Sequence, residues 1–232
     1  MHRLVNFNNE EQLVTAFSQQ IADLLKAAIL RKGRATFAVS GGSTPKRLFE
    51  VLSAMPLAWE KVDIMLVDER WVDGEHSDSN TRLVKRMLLT QEAKKAHWVD
   101  IKTQDASPVD AVAQLNQTLS QYLPADVLIL GMGNDGHTAS LFPCATETAQ
   151  AMDSANVNLV AAVTPTTAPH HRISLTLANI LSASSVFLHL RGDDKRETLN
   201  KALSGQDESE MPIRAVLNSS AVDSQVYWCP NA

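Results

Sequence analysis

The chain has 232 residues, of which 44% are apolar and 20% are charged, as in an ordinary soluble globular protein. Its formal net charge of −5 argues against a nucleic acid or a membrane surface as the main partner. The only cysteines, Cys144 and Cys229, are too few for a disulfide framework or a thiolate metal cage. The N-terminal sequence lacks the apolar core of a signal peptide, and no apolar run approaches membrane length, so we predict a cytoplasmic protein.

Strands and helices are predicted to alternate along the whole chain. Asn8 or Asn9 caps a long amphipathic helix that ends near Gly33. Two more helices are expected after Thr44 and Ser107, each with a proline at its first position. The alternation predicts a single domain, residues 1–232, with a three-layer, doubly wound α/β fold around a mostly parallel sheet. Strands are predicted at residues 4–7, 35–39, 62–67, 127–130, 159–163, 172–177, 186–190 and 226–228 (the last at an edge), and further helices at residues 80–89, 178–181 and 192–203.

Residues 127–143, VLILGMGNDGHTASLFP, are the segment in which chemistry is most expected. Their first four residues form an apolar run typical of a strand that is buried on both faces, and glycines then turn the chain sharply. Asp135 and His137 lie in this turn, at the end of a strand where open α/β sheets bind ligands. Residues 138–141 have room for about one helical turn before Pro143.

His137 can be interpreted in two ways. A lone histidine near glycine is more often a structural hydrogen-bonding group than a base. Here it lies two residues from Asp135, and a neutral imidazole can take a proton from water at physiological pH. His170 and His171 are weaker candidates, since they precede a strand and would lie at its amino end.

The glycines from residue 131 to residue 136 match the G-x-G-x-x-G pattern of dinucleotide-binding proteins. Three features argue against that interpretation. Asp135 would place a negative charge at the pyrophosphate, Pro143 would cut the following helix short, and the expected downstream acid would be Asp153, where no strand ends. No group of histidine, cysteine and carboxylate residues has metal-ligand spacing. We therefore expect neither a cofactor nor a metal.

Other polar residues follow predicted strands. Residues 40–45, SGGSTP, are either an anion-binding loop at a helix N-terminus or merely a tight strand-to-helix turn. Asp68 and Arg70 indicate either a functional strand end or a solvated loop in which the arginine pairs with an acid. Arg172 and Lys195 are either surface charges or ligand-binding cations, if they converge with the loop at residues 41–44.

At these residues the chain resembles the 6-phosphogluconolactonases, which belong to a wider group of sugar-phosphate isomerases and deaminases with a doubly wound α/β fold. The resemblance covers nearly the whole chain in order, and the block GNDGHTASLFP is its most specific part. Asn134 and Asp73 stand where this family often has proline, and Cys144 stands in place of glycine. The matching segments are SGGSTPKRLFE (40–50), VDERWV (67–72), SNTRLVKRMLL (79–89), GMGNDGHTASLFP (131–143), RISLTLANI (172–180) and GDDKRETLNKAL (192–203).

The resemblance implies hydrolysis of 6-phospho-D-glucono-1,5-lactone to 6-phosphogluconate in the oxidative pentose phosphate pathway. His137 corresponds to the general base that activates water, and Asp135 to the group that orients it. The expected partner is thus a small phosphorylated sugar lactone. The residues expected to bind it are Gly41, Gly42, Ser43, Thr44, Asp68, Arg70, Asn134, Arg172 and Lys195, of which Ser43, Thr44, Arg172 and Lys195 match phosphate-holding positions and Asp68 and Arg70 would border the sugar ring.

Two other functions are compatible with the same resemblance. Amino-sugar-phosphate deaminases of this fold carry a glutamate five residues after the loop histidine, and that position is Phe142 here. Non-catalytic sugar-phosphate sensors of this fold carry an additional DNA-binding helix-turn-helix domain, for which this chain has no residues left over.

Overall fold

The structure is a computed structural model that describes residues 2–231. The strands are β1 (Arg3–Asn6), β2 (Ala35–Val39), β3 (Val62–Leu66), β4 (Asp68–Arg70), β5 (His97–Val99), β6 (Val127–Leu130), β7 (Val160–Val163), β8 (Arg172–Leu175), β9 (Val186–Arg191) and β10 (Ser224–Cys229). The α-helices are α1 (Glu10–Lys32), α2 (Lys46–Ser53), α3 (Asn80–Met87), α4 (Pro108–Leu119), α5 (Thr148–Ala151), α6 (Leu177–Ser182), α7 (Asp193–Leu203) and α8 (Ile213–Leu217).

Seven strands form one sheet in the order β1-β10-β9-β6-β2-β3-β5, and every neighbouring pair is parallel. All residues of β2, β3 and β6 are buried, because helices cover both faces of the sheet. The predicted doubly wound α/β fold is therefore confirmed. From β2 the chain builds outward to β3 and β5, whereas from β6 it builds toward β9 and β10. The topological switch point thus lies between β2 and β6, where such sheets bind ligands.

The first helix begins and ends as its sequence predicts. The Asn9 side chain accepts a hydrogen bond from the Gln12 backbone N–H at 3.0 Å. Gly33 ends the helix in the left-handed region, with φ of 86°, and donates its N–H to the Ile29 carbonyl. By length and composition alone, α1 is apolar enough to cross a membrane, which differs from our expectation for this chain. One face of α1 packs against β2, β10 and α2, as a core helix does.

A second, antiparallel sheet with the order β4-β8-β7 extends the carboxyl edge of the main sheet. It is joined to the main sheet by the Leu175 N–H, which donates to the Val67 carbonyl at 2.8 Å. In register, Arg70 on β4 lies opposite Arg172 on β8. Every residue of β8 is buried, because its polar positions face the region beyond the switch point rather than solvent. This sheet therefore brings two arginines to the ligand-binding edge.

Several local predictions are wrong. Thr44 does not cap α2, because Pro45 already has helical backbone angles and occupies the cap position without a side-chain bond. Residues 138–141 form a turn rather than a helical turn, since Ala139 has a φ of 49° and Leu141 donates to the Thr138 carbonyl. Strand β10 is an inner strand, because β1 adds outside it. Strands β4 and β5 and helices α5 and α8 were not predicted, since each has at most five residues and little periodicity.

Glu69 joins β4 to the start of α3. Its carboxylate is buried and accepts from the backbone N–H groups of Arg70, Asn80 and Thr81 and from the Ser79 hydroxyl, at 2.7–3.0 Å. An acid at a helix N-terminus satisfies N–H groups that have no partner within the helix and interacts favourably with the helix dipole. This contact fixes the position of β4, and with it the flanking Asp68 and Arg70.

We predict that Glu69→Ala lowers the free energy of unfolding by about 3–5 kcal/mol, because three buried donors and one partly buried donor lose their acceptor. Glu69→Gln should cost less, since the amide keeps one acceptor oxygen. The control is Glu75→Ala on the exposed loop, which should change stability by about 0.5 kcal/mol or less. Urea unfolding measures the stability of all three variants. Equal midpoints for Glu69→Ala and Glu75→Ala would contradict the role of Glu69 in joining β4 to α3.

Candidate active site

A cavity of about 240 Å³ opens at the switch point, beyond the carboxyl ends of the strands. It brings together the loop after β2, the loop after β6, strands β4 and β8 and the first turn of α7. All predicted site residues line it except Asn134 and Asp135, which lie behind lining residues. The lining residues are Ser40, Gly41, Gly42, Ser43, Thr44, Pro45, Asp68, Arg70, Asn80, Ile129, Leu130, Gly131, Met132, Gly133, His137, Ala139, Arg172, His189, Leu190 and Lys195.

Asp135 and His137 form a close pair in the loop after β6. Asp135 Oδ1 lies 2.6 Å from His137 Nδ1, and it also accepts from the His137 backbone N–H at 3.1 Å. Partial burial acts to raise the pKa of Asp135, but the hydrogen bonds from His137 outweigh it and hold that pKa below its ordinary value. An ionised carboxylate can only accept, so neutral His137 carries its proton on Nδ1 and its lone pair on Nε2. Within residues 2–231, Nε2 makes no hydrogen bond.

Two glycines allow this pair to form. Gly136 has a φ of 79°, which L side chains rarely adopt. A Cβ atom on Gly133 would lie 2.1 Å from His137 Nδ1, so any side chain there would displace the imidazole ring. The Gly133 N–H also donates to the His137 carbonyl at 2.9 Å and closes the turn. The glycines that resemble a dinucleotide motif thus serve to seat the histidine, and residues 131–147 contain no helix.

Phe142 supports two lining residues at once. Its ring stacks on the His137 imidazole with centroids 4.0 Å apart and an interplanar angle of 26°. The Arg172 guanidinium carbon lies 5.5 Å from the same ring centroid, within the range of a cation–π contact. Phe142 is itself buried against Ala145 and Val163. A single apolar ring therefore fixes both the candidate base and a candidate anion-binding cation.

Three cations line the cavity without an acidic partner in the described part of the chain. Arg172 is buried and donates to the backbone carbonyls of His170 and Pro169. Burial lowers the pKa of Arg172, and repulsion from Arg70 lowers it further. Arg70 donates to the Asp78 carbonyl, and its Nε is buried with no partner. Since carbonyls hold both arginines without neutralising them, their positive charge remains available to an anion.

Lys195 completes this group from the first turn of α7. Its ammonium group donates to the Asn134 side-chain oxygen. Asn134, which lies next to Asp135, thereby links the loop after β6 to the cation. Asn134 does not line the cavity, so its contact with Lys195 positions the cation without touching a ligand there.

The glycine-rich loop after β2 faces the same cavity. Gly42 has a φ of 95°, and a Cβ atom on Gly41 would lie 2.0 Å from Asn80 Oδ1. The hydroxyl groups of Ser43 and Thr44 make no hydrogen bond within residues 2–231, and the N-terminus of α2 follows them. Of the two interpretations left open by the sequence, convergence with three unneutralised cations favours an anion-binding loop over a mere turn.

Asp68 contributes a buried carboxylate. Its Oδ2 accepts from the Ser140 hydroxyl at 2.6 Å, and its backbone carbonyl accepts from the Asn80 side chain at 3.1 Å. Ser140 belongs to the same loop as His137, so Asp68 joins the small sheet to the loop after β6.

Sequence reasoning missed several contributors. His189 lies on β9 beneath the cavity, and burial, followed by the charge of Arg191, lowers its pKa to about 4, so it is neutral. Its Nδ1 and the Ser40 hydroxyl are buried and have no hydrogen-bond partner among the described residues. One indication of His189 was present in the sequence, because it is a polar residue within an otherwise apolar strand. Ser140 and Phe142 lie in the segment where chemistry is expected, and Asn80 lies in a segment that matches the family, but the sequence did not indicate the contacts that these three residues make at the site.

Other candidate residues lie elsewhere. His171 contacts the Thr164 hydroxyl and His170 contacts Asp78, and neither lines the cavity. Burial acts to raise the pKa of Cys144, but hydrogen bonds with Thr167 and Thr166 lower it to about 7. Cys144 also lies outside the lining.

The fold and the cavity together define a doubly wound α/β protein with a histidine–aspartate pair and a group of cations at its switch point. The family model of glucosamine-6-phosphate isomerases and 6-phosphogluconolactonase matches residues 8–228. A 6-phosphogluconolactonase of Pseudomonas putida is 42% identical over 219 residues, which cover 94% of this chain and 89% of that protein. One from Neisseria meningitidis serogroup B is 43% identical over 227 residues and 96% of both chains. The chain belongs to this family.

Solved structures agree with the fold. The crystal structure of a 6-phosphogluconolactonase from Shewanella baltica superposes with a TM-score of 0.96 at 38% identity, covering 99% of this chain and 98% of that one. A monomeric glucosamine-6-phosphate deaminase has a TM-score of 0.82 at 17% identity and covers 98% of this chain and 97% of its own. The deaminase is similar in fold alone.

We predict that Phe142→Leu weakens the binding of inorganic phosphate by roughly three- to thirtyfold, because the cation–π support of Arg172 is lost. Phe142→Tyr keeps the ring and should bind phosphate nearly as wild type does. Isothermal titration calorimetry at fixed ionic strength measures the three dissociation constants. Equal weakening in both variants would contradict a role for the aromatic face.

Proposed function

We propose that the chain hydrolyses 6-phospho-D-glucono-1,5-lactone to 6-phospho-D-gluconate, in the oxidative pentose phosphate pathway. The observation that carries this proposal is that one cavity contains both the Asp135-oriented His137 and a group of cations with no acidic partner. A base and a group of cations in one cavity suit an ester that also carries a phosphate. Relatives that are about 40% identical over almost the whole chain and are named 6-phosphogluconolactonase support it further.

In the proposed mechanism, neutral His137 accepts a proton from water through Nε2 as the water oxygen attacks the lactone carbonyl carbon. Asp135 stabilises the imidazolium that forms and keeps the ring oriented, as the acid does in a Ser-His-Asp triad. The tetrahedral intermediate then collapses and breaks the bond between the carbonyl carbon and the ring oxygen. The ring oxygen leaves as a hydroxyl group, taking its proton from His137, and the product is a carboxylic acid that ionises.

The other end of the substrate is assigned to the anion site. Arg172, Lys195 and the loop at residues 41–44 would bind the phosphate through charge-assisted hydrogen bonds and backbone N–H groups. Asp68 and Arg70 would border the sugar ring, and Asn134 would act by positioning Lys195. Water activated by a base is sufficient for a lactone ester, so this mechanism uses neither a metal nor a nicotinamide. A single domain over residues 1–232 and a cytoplasmic location stay predictions from the sequence.

An amino-sugar-phosphate deaminase activity is the alternative that the family also contains. An aldose–ketose isomerisation needs a group that moves a proton between neighbouring carbons. Phe142 occupies the position at which the amino-sugar-phosphate deaminases carry a glutamate. Its side chain has no titratable group and cannot move this proton. The buried, apolar character of this position favours the lactonase over the deaminase.

We predict that purified protein hydrolyses freshly prepared 6-phosphogluconolactone faster than the spontaneous rate, which is subtracted. His137→Ala should lower kcat by roughly 10²–10⁴-fold, the usual contribution of a positioned general base. Product affinity should change much less, since a base acts mainly in the transition state. His171→Ala is the matched control, because this histidine lies outside the cavity, and it should keep its kcat.

Near wild-type turnover in His137→Ala would refute the assignment of the base. Ammonia release from glucosamine 6-phosphate, with no acceleration of lactone opening, would instead support the deaminase. Saturable binding of the phosphorylated lactone with turnover of neither substrate would favour the non-catalytic sensor.

We predict that Arg172 and Lys195 select the phosphorylated lactone over plain gluconolactone. A chain of net charge −5 provides no favourable overall field, so local cations must attract the phosphate. Loss of one charge-assisted contact should cost roughly 1.5–3 kcal/mol, or about a tenfold to hundredfold decrease in kcat/KM. The decrease should be nearly absent with gluconolactone, which lacks the phosphate.

The measurement is kcat/KM for both lactones in wild type, Arg172→Ala and Lys195→Ala. Lys201→Ala, an exposed lysine in the last turn of the same helix as Lys195, is the control for general loss of charge. If both lactones lose rate equally in the Arg172 and Lys195 variants, these residues support the loop rather than bind phosphate.

A further inference from the structure

Three side chains of metal-ligand type meet beside the small sheet. His76 and Asp78 lie in the loop between β4 and α3, and His170 lies just before β8. Asp78 Oδ2 is 2.9 Å from His170 Nε2, and the two imidazole rings meet edge-on with centroids 5.4 Å apart. One ligand atom from each residue lies within 4.8 Å of the other two. Sequence spacing does not reveal this group, because His170 is 92 residues from Asp78.

Two imidazoles and one carboxylate are a ligand set typical of zinc, which uses three protein ligands and a water in its open sites. Zinc bonds to nitrogen and oxygen are about 2.0–2.2 Å long, so ligand atoms this close need only small movements to share one ion. His76 and Asp78 are exposed, which leaves access for the ion and for a water ligand.

The group lies directly behind the two arginines of the cavity. The backbone carbonyl of Asp78 accepts from Arg70, and the backbone carbonyl of His170 accepts from Arg172. Neither Asp78 nor His170 lines the cavity. His170 also holds a left-handed backbone conformation, with φ of 71°, which non-glycine residues rarely adopt. Whatever holds these two side chains together therefore also fixes the carbonyls that hold the arginines.

We propose that His76, Asp78 and His170 bind a divalent transition-metal ion of the zinc type, which clasps the loop before α3 to the segment before β8. The ion acts structurally and touches no substrate. The charges of Arg70 and Arg172 nearby oppose a cation, so binding depends on the imidazole ligands rather than on net charge. Magnesium, which prefers oxygen ligands, should therefore bind far more weakly than zinc. This site does not depend on the proposed lactonase activity.

The test uses the full chain after treatment with a chelator and desalting. Calorimetric titration with zinc chloride should give one ion per chain, and a hundredfold excess over Kd should raise Tm by roughly 5–10 °C. His76→Ala and His170→Asn should each weaken zinc binding by at least about tenfold. Asparagine at position 170 tolerates the left-handed conformation and removes only the imidazole. His171→Ala should bind as wild type does, and magnesium chloride should give no shift.

Several outcomes would overturn the proposal. The proposal is wrong if the wild-type chain shows no saturable zinc binding. It is also wrong if His76→Ala and His170→Asn both bind zinc as tightly as wild type does. Loss of the zinc signal in His137→Ala, with retention in the other two variants, would place the ion on the Asp135–His137 pair. If His137→Ala still binds zinc, the result supports the site formed by His76, Asp78 and His170. Loss of kcat after chelation, restored by zinc, would make the ion catalytic and would contradict the structural role.

Discussion

The hydrogen bond between Asp135 and His137 is the contact on which the rest of the site depends. It forms inside a turn that leaves no space for a side chain at Gly133 and needs positive φ at Gly136. The buried strand β6 delivers that turn to the switch point of the sheet, and Phe142 closes it from the other side. Because the carboxylate binds Nδ1, the remaining nitrogen is left free to take a proton. The fold thus leaves Nε2 as the nitrogen that would accept the proton in the proposed mechanism.

The second constraint is that the chain holds positive side chains at the cavity without neutralising them. Burial of the charged Arg172 side chain is unfavourable, and this is why its pKa is lowered. A carboxylate partner would make the burial of this charge less unfavourable. The chain instead satisfies Arg70 and Arg172 with backbone carbonyls and satisfies Lys195 with an amide oxygen. Such partners accept hydrogen bonds without cancelling the charge. In an acidic chain, this arrangement keeps a strong local attraction for an anion in one place.

The sequence predicts the parts of this arrangement that depend on local pattern. Apolar runs identified β2, β6 and β9, and capping residues identified α1, because buried parallel strands and helix ends have strong local signals. The residues that the resemblance indicated all line the cavity, apart from Asn134 and Asp135, which contact the lining residues Lys195 and His137. Contacts between distant segments left no such signal. The small β4-β8-β7 sheet, the inner position of β10 and the meeting of Asp78 with His170 all arise from tertiary packing.

The central claim is that His137 acts as a general base, and chemical rescue tests it most directly. Added imidazole can replace a missing histidine base only if the side chain supplied a proton acceptor and the cavity left by its removal is open. Lactone hydrolysis by His137→Ala would be measured against imidazole concentration, with the uncatalysed and imidazole-catalysed background rates subtracted. The account predicts a saturable increase in rate, which inorganic phosphate should suppress by competing for the anion site. No increase above background, in a variant that still binds product, would contradict it.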